Sequence, residues 1–360
     1  MKKTNLKEMM VLAALTALFA ATCSTDSDID NTGSNNDNNS AINSGISGDF
    51  EWKANSENII ITGYRGKGGM VEIPAKIDGN QVTVIGERSF YNKNITGITI
   101  PNSVISIDDL AFWGNKLTGL IIPDSVIAIK KMAFHNNQLT SVTIGNSVLS
   151  IGENAFSANN LKSVIIPDSV ITIGKSAFFG GIPGNNGNLT DVKIGNGVTT
   201  IEDEAFCGNR LNSVTIGNSI MYIGMRAFAR NQLVNITIPD SVISIMSSAF
   251  EENQLTSVTI PDKVTVISYG AFYRNKLSNV IIGKSVTTIE EGAFGGILDE
   301  NDLSSITIGA NVMLKPATPS FRETDAYEVF MRAYNNDNNK AAGTYTRKKY
   351  GNGDVWEKTD

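Results

Sequence analysis

The chain is poor in the residues on which most active sites depend. It holds two cysteines and one histidine in 360 residues. Two cysteines exclude a disulfide framework. The single histidine, His135, and the one cysteine beyond the N-terminal region, Cys207, are too few for a zinc ligand set. They also fall three repeat units apart, which excludes a paired Cys–His nucleophile. Cys207 reads as an inert thiol. Charged residues make up only 18%, and acidic residues outnumber basic ones by 36 to 30, giving a net charge of -6. That balance excludes nucleic acid as a natural partner and disfavours an electrostatic hold on anionic membranes. The carboxylates are scattered over turns and form no repeated acidic cluster, so no calcium site is expected. The cluster Gly63-Tyr64-Arg65-Gly66-Lys67-Gly68-Gly69 lacks the Gly-Lys-Ser/Thr ending and following helix of a phosphate loop. It reads instead as a hairpin turn between the short strands Ile59–Thr62 and Met70–Ile73. No catalytic residue, cofactor site or metal site emerges.

What the chain does have is repetition, which takes precedence over local signals. Ala-Phe or Ser-Phe recurs at 22-residue steps, at Phe90, Phe112, Phe134, Phe156 and Phe178. After one step of 28 residues the period resumes at Phe206, Phe228, Phe250, Phe272 and Phe294. Each of ten units opens on an aliphatic residue, as at Leu139, and alternates through Val142 and Ile144. That alternation predicts a strand. Pro or Gly then follows, an Asx-Ser turn is common, a second apolar pair such as Val148 and Ile151 appears, and the Phe closes the unit. A unit of this size cannot bury its own apolar edge; stacked units can. Strands of adjacent coils should pair in parallel about 4.8 Å apart, with the Phe side chains as an interior stack. A recurring Asn at 115, 137, 159, 209, 231, 253 and 275 should satisfy backbone groups at the bend between coils.

The pattern Leu-x-x-Val-x-Ile-Pro-x-x-Val-x-x-Ile-x-x-x-Ala-Phe resembles the leucine-rich repeats of BspA-like bacterial surface proteins, including those of treponemes. It extends from about Val82 to Gly309. The resemblance implies an α/β repeat solenoid of the leucine-rich-repeat horseshoe type, mostly β, with a parallel sheet on its concave face and capped ends. It also implies an adhesin-type role, binding host extracellular-matrix proteins, glycans or bacterial surface proteins.

The flanks complete the organisation. Residues 1–22 read as a signal peptide: Lys2, Lys3 and Lys7 precede the apolar run Met9 to Ala21, too short for a comfortable membrane span. Ala20-Ala21-Thr22-Cys23 resembles a loose lipoprotein cleavage box, so Cys23 is the candidate lipid attachment, with ordinary secretion as the alternative. Any membrane association would be by that lipid anchor only. Residues 23–49 are rich in Ser, Asn and Asp and read as a disordered tether. Residues 50–81 read as the N-terminal cap, 82–309 as the repeats and 310–360 as a C-terminal cap. In the last, Asp325 to Glu328 looks like a helix start, with Tyr327, Phe330, Met331 and Tyr334 on one face. A hairpin follows around Tyr350-Gly351-Asn352-Gly353. Capped ends argue against end-to-end fibres and for a monomer. Insertions of six and four residues follow Phe178 and Phe294 at the same point of the unit, and so on the same edge.

Two surfaces are candidates for partner binding. The outward strand positions form small, neutral rows. Thr215, Thr237 and Thr259 are among them, interrupted by Ile121, Ile165 and Ile281 and by one charged pair, Asp191 and Lys193. These are either a contact face or simply good solvent-side strand residues. The residue after each Phe forms a second, variable row that includes Tyr91, Trp113, Phe179 and Tyr273. Partly exposed aromatics there suit an interface or pack the coil edge. The expected function is a non-enzymatic cell-surface adhesion protein, exported as an outer-membrane lipoprotein. The alternatives are a structural lipoprotein on the periplasmic face and, as a minor one, a glycan-active enzyme with paired carboxylates brought together across coils, although no motif places Asp191, Asp299 or Glu300.

Overall fold

The computed structural model describes residues 44–55, 58–181, 187–295, 301–315, 330–337, 340–350 and 353–359. The compact unit spans Ile42–Asp360, and the N-terminal unit Met1–Ala41 lies outside the described residues. The readings of the signal peptide and of Cys23 fall there.

The repeat folds as stacked coils forming a β-solenoid. Most coils have a first strand, such as Ser141–Thr143, and all have a second, such as Ser150–Ile151. First strands pair in parallel and in register from coil to coil, Ser163 opposite Asp191 and Ile165 opposite Lys193 for example. This ladder is segmented, and no strand forms at the coil of Leu233–Ile238. The continuous sheet is the other one. Two-residue second strands pair in parallel from Ser106–Ile107 to Met313–Leu314. Pro follows the first strand at Pro101, Pro123, Pro167 and Pro261 and keeps it short, because it cannot donate to a ladder. The second strand has no Pro, and flanking bonds lengthen it, as from Leu149 N–H to Ile127 O at 2.8 Å and Gly152 N–H to Ile129 O at 2.8 Å.

The third side of the coil carries the Phe. Its N–H donates to the Ala carbonyl one coil on, from Phe90 to Ala111 (2.8 Å) through Phe272 to Ala293 (2.8 Å). The side chains form the expected interior stack. Neighbouring rings from Phe90 to Phe294 have centroids 4.9 to 5.5 Å apart and are nearly parallel. Tyr64 continues the stack at its N-terminal end, 5.4 Å from Phe90.

The tight turn before each Phe forces a left-handed residue two positions ahead of it. From Arg88 to Gly292 its φ lies between 53° and 64°. Only Gly270 and Gly292 are glycines; the rest, including Leu110, Met132 and Ser248, hold a conformation that disfavours side chains. Ser248→Gly should therefore gain about 0.5–1 kcal/mol net of the entropy that glycine costs. Gly270→Ala, at φ +60°, should lose about 1 kcal/mol. Urea melts of the pair check both signs, and two shifts of the same sign would contradict the strain.

The N-terminal region differs from expectation. Ser44–Ser47 (β1), inside the segment read as tether, pairs antiparallel with Phe50–Asn55 (β2). Gly48, at φ +57°, turns the chain between them. Asn58–Tyr64 (β3) and Gly69–Glu72 (β4) do not form the expected hairpin. β3 pairs antiparallel with β2 and parallel with Asn80–Ile85 (β6), the strand that follows Lys76–Ile77 (β5). β4 pairs parallel with Ile95–Thr99 (β7) in a different sheet. The glycines carry the chain from one sheet to the other past crowded backbone. A Cβ on Gly68 would lie 2.4 Å from Lys93 O, and its φ is +87°. The second half of the expected cap is thus a further coil: Val71, Ile73 and Pro74 lead into Val82, Ile85 and Phe90. The turn at Asp78-Gly79, an insertion between β5 and β6, disguises it.

At the C-terminal end, Asp325 to Glu328 and Tyr327 lie outside the described residues. Phe330–Arg332 is helical and Ala333–Asp337 is a π-helical turn, with Phe330, Met331 and Tyr334 buried. The Tyr334 hydroxyl donates to Gly309 O (2.7 Å) and accepts from Val312 N–H (3.0 Å). Gly343–Tyr350 and Gly353–Lys358 form the hairpin, whose first strand runs antiparallel to Ser305–Ile308. This closes the exposed edge of the ladder.

Candidate partner-binding surface

Strand alternation sends Val, Leu and Ile inward and leaves the intervening residues in solvent. Ile121 is 70% and Ile165 65% exposed, and Ile281 is also exposed. Lys193, Thr215, Thr237 and Thr259 are exposed in the same outward row, and Asp191 in the row beside it. In-register pairing places these side chains side by side up the solenoid, Ile121 next to Thr143 and Ile281 between Thr259 and Thr307. Met70 joins them. It is 77% exposed and paired in register with Gly97. Its side chain covers Gly97, which faces outward but is buried beneath it; a Cβ there would lie 2.2 Å from Met70 Sδ. The signal for Met70 was the repeat motif Val71-x-Ile73-Pro74, hidden by the interrupted coil. Met70, Gly97, Gly119 and Ile121 line a shallow groove of about 660 Å³ edged by Thr and Ser hydroxyls.

In the row after the Phe the rings are half-buried, while Ser157, Cys207 and Ala229 are buried. Tyr91 stacks on Trp113 at 4.7 Å and 7°, and Trp113 on His135 at 6.1 Å and 16°. Phe179 and Tyr273 stand apart from this stack. Tyr273 carries the Arg274 guanidinium 5.3 Å from its ring centroid. Burial pushes the His135 imidazole below its ordinary pKa, so the ring is neutral at neutral pH.

Charge on this edge is largely consumed in pairs. Glu252 meets Arg274 at 2.9 Å and Arg230 at 3.4 Å, and Lys131 meets Glu153 at 2.9 Å. Cys207 is buried, and burial, with Glu204 nearby, pushes its thiol up to about 11. Iodoacetamide at mildly alkaline pH should therefore leave Cys207 intact in the folded protein and label it after denaturation. Labelling of native protein, read by peptide mass spectrometry, would contradict that burial. Among the described residues no group of three or more His, Cys, Asp or Glu converges on one point.

The Asn row is a structural staple. Asn231 Nδ2 donates to Phe206 O (3.0 Å) one coil back and to its own Phe228 O (3.0 Å), while Oδ1 accepts from Leu211 N–H (3.0 Å). Asn301, displaced by the second insertion, does the same for Phe272, Phe294 and Leu277. At the first insertion no Asn holds this place: Gly181 stands three residues after Phe178 and Gly187 two before Leu189.

Residues 76–181 and 184–299 match the BspA type leucine rich repeat region, with 6 copies, so the chain belongs to that family. A leucine-rich repeat protein from Bacteroides ovatus ATCC 8483 is similar at 24% identity over 76% of this chain and 78% of that chain, with a TM-score of 0.53. A leucine-rich repeat protein of T. pallidum is 25% identical over 52% of this chain and 89% of that one, at a TM-score of 0.42. A leucine rich cell surface protein from Faecalibacterium prausnitzii is 21% identical over 78% and 96% of the two chains, at 0.30. No curated protein sequence matches the chain. Family and fold are those of leucine-rich repeat proteins.

Proposed function

We propose that this is a non-enzymatic adhesion protein, exported and displayed at the bacterial cell surface through a lipid on Cys23. It binds a host matrix protein or a surface protein of another bacterium through its outward strand face. One observation carries the reading: large apolar side chains, Met70, Ile121 and Ile165, stand in solvent on the outward face of first strands that pair in register within each segment of the ladder. Exposed apolar groups on a rigid, nearly uncharged surface suit broad protein contact rather than capture of a charged small molecule. The family match and the exposed rows support this reading.

The test is binding of the purified solenoid to a panel of matrix and bacterial surface proteins. Ile121→Asp with Ile165→Asp should leave the melting transition in place, because both side chains are in solvent, and should weaken binding by at least tenfold. A folded double variant that binds as the parent does, or a parent that binds nothing in the panel, would overturn it.

A further inference from the structure

The sheet of second strands carries charge along one edge for most of its length. The two positions after the strand read Asp108-Asp109, Lys130-Lys131, Gly152-Glu153, Gly174-Lys175 and Glu202-Asp203 in successive coils, and Glu290-Glu291 further on. In the three coils between, they read Gly224-Met225, Met246-Ser247 and Ser268-Tyr269. Large apolar side chains gather there and on the strands beside: Met221, Tyr222, Met225, Ile243, Met246 and Tyr269 are each 38 to 49% exposed. Parallel pairing fixes their spacing, with Tyr222 opposite Ser244 and Ile245 opposite both Ile223 and Ile267. Bonds from Ile243 N–H to Met221 O and from Met246 N–H to Ile223 O, both 3.0 Å, carry the register past the strand ends. A contiguous apolar patch where neighbouring coils hold charges marks an interaction site. Three of these six residues are Met, whose flexible side chain moulds to another apolar surface.

The coil before the patch is acidic. Glu202 accepts from Lys175 N–H (2.9 Å), Asp203 from Met225 N–H (2.7 Å) and Glu204 from the Ser176 hydroxyl (3.3 Å). Among the described residues, none of these three carboxylates is in an ion pair. Arg226, next to Met225, is 3.9 Å from Glu251, and beyond the patch Glu290 is paired with Lys315 at 3.0 Å. We infer that the patch docks a cationic amphipathic helix of another protein. Its apolar face covers Met225, Met246 and Tyr269, and its Lys or Arg side chains reach Glu202, Asp203 and Glu204. The strands here are paired on both sides, so the partner docks by side chains and not as an added strand. The acidic coil and the three apolar ones span about 14 Å, the length of about ten helical residues. A second copy of the chain fits poorly. A two-fold axis along the solenoid sets the acidic coil against itself, and one across it sets that coil against Glu290 and Glu291. The same carboxylates repel an anionic membrane. The site does not use the outward face of the first strands and stands or falls independently of the adhesion reading.

The test uses three probes against the purified protein at about 0.15 M salt. They are a labelled peptide of about 14 residues with Leu and Lys at helical spacing, its Glu-for-Lys counterpart, and vesicles of phosphatidylcholine with phosphatidylglycerol. The Lys peptide should bind with a dissociation constant below about 100 μM, read by fluorescence anisotropy. Met225→Ser with Met246→Ser, both at exposed positions, should weaken it at least tenfold and leave the melting transition in place. Glu202→Gln with Glu204→Gln keeps an oxygen acceptor at each place and should weaken it severalfold. The same loss of charge at Glu72→Gln with Asp191→Asn, on the first strands, should weaken it less than about twofold. The assignment is overturned by no binding, by equal binding of the Glu peptide, by full binding of the folded Met variant or by an equal effect of the distant charge pair. Tighter binding to the vesicles than to the peptide, or a dimer of the free protein that the Met variant breaks, would overturn it as well.

Discussion

Replacing Phe228 with Ala lowers the unfolding free energy by about 3–5 kcal/mol, the range for a fully buried aromatic. Phe228 is completely buried between Phe206 at 5.4 Å and Phe250 at 5.5 Å. The cavity cannot close by collapse. Phe228 N–H is bonded to Ala249 O at 2.9 Å, and Phe206 N–H to Ala227 O at 2.9 Å, which fixes the spacing of the coils on either side. Because each coil touches only its neighbours, the loss divides the solenoid at its middle. Urea unfolding should show a lower midpoint together with a shallower or split transition. A loss under about 1 kcal/mol would mean that the stack is not the core.

Asn231→Asp is expected to be as damaging, from a change of one atom. The amide at this position donates to Phe206 O and Phe228 O, with Ala229 O a further acceptor at 3.2 Å, and accepts one N–H; its residue is only 7% exposed. A carboxylate keeps the acceptor but turns both donor contacts into repulsions in a buried site. Each unpaired buried group costs about 1–3 kcal/mol, so a total of roughly 3–5 kcal/mol is expected at neutral pH. The sign with pH follows. Burial beside two carbonyls raises the pKa of the introduced carboxyl in the folded state above its unfolded value. The variant is then least impaired below the unfolded pKa and loses stability as pH rises through the folded pKa. Melts of parent and variant compared at acidic and neutral pH check this; a gap that narrows with rising pH would contradict the donor role.

Much of this was legible in sequence because solenoid contacts repeat. Phe and Asn recur at fixed offsets, and their burial and bonding followed from period alone. Features without a compositional mark did not show. The continuous sheet is built from two-residue strands such as Ser150–Ile151, too short for an alternation signal. The left-handed turn residue is Arg, Leu, Met, Asn, Ser or Glu in most coils, so glycine did not announce it. The turn at Asp78-Gly79 hid a coil and with it Met70, while the second insertion moved Asn301 out of step. Exposure of Ile121 and Ile165 could be read from alternation.

The most direct test of surface display is protease treatment of intact cells, with and without Cys23→Ser. The account expects the anchored protein to be cut while the outer membrane is whole, and the variant to be released or mislocalised. Protection of the solenoid until the outer membrane is opened would contradict surface adhesion and leave a periplasmic structural protein in its place.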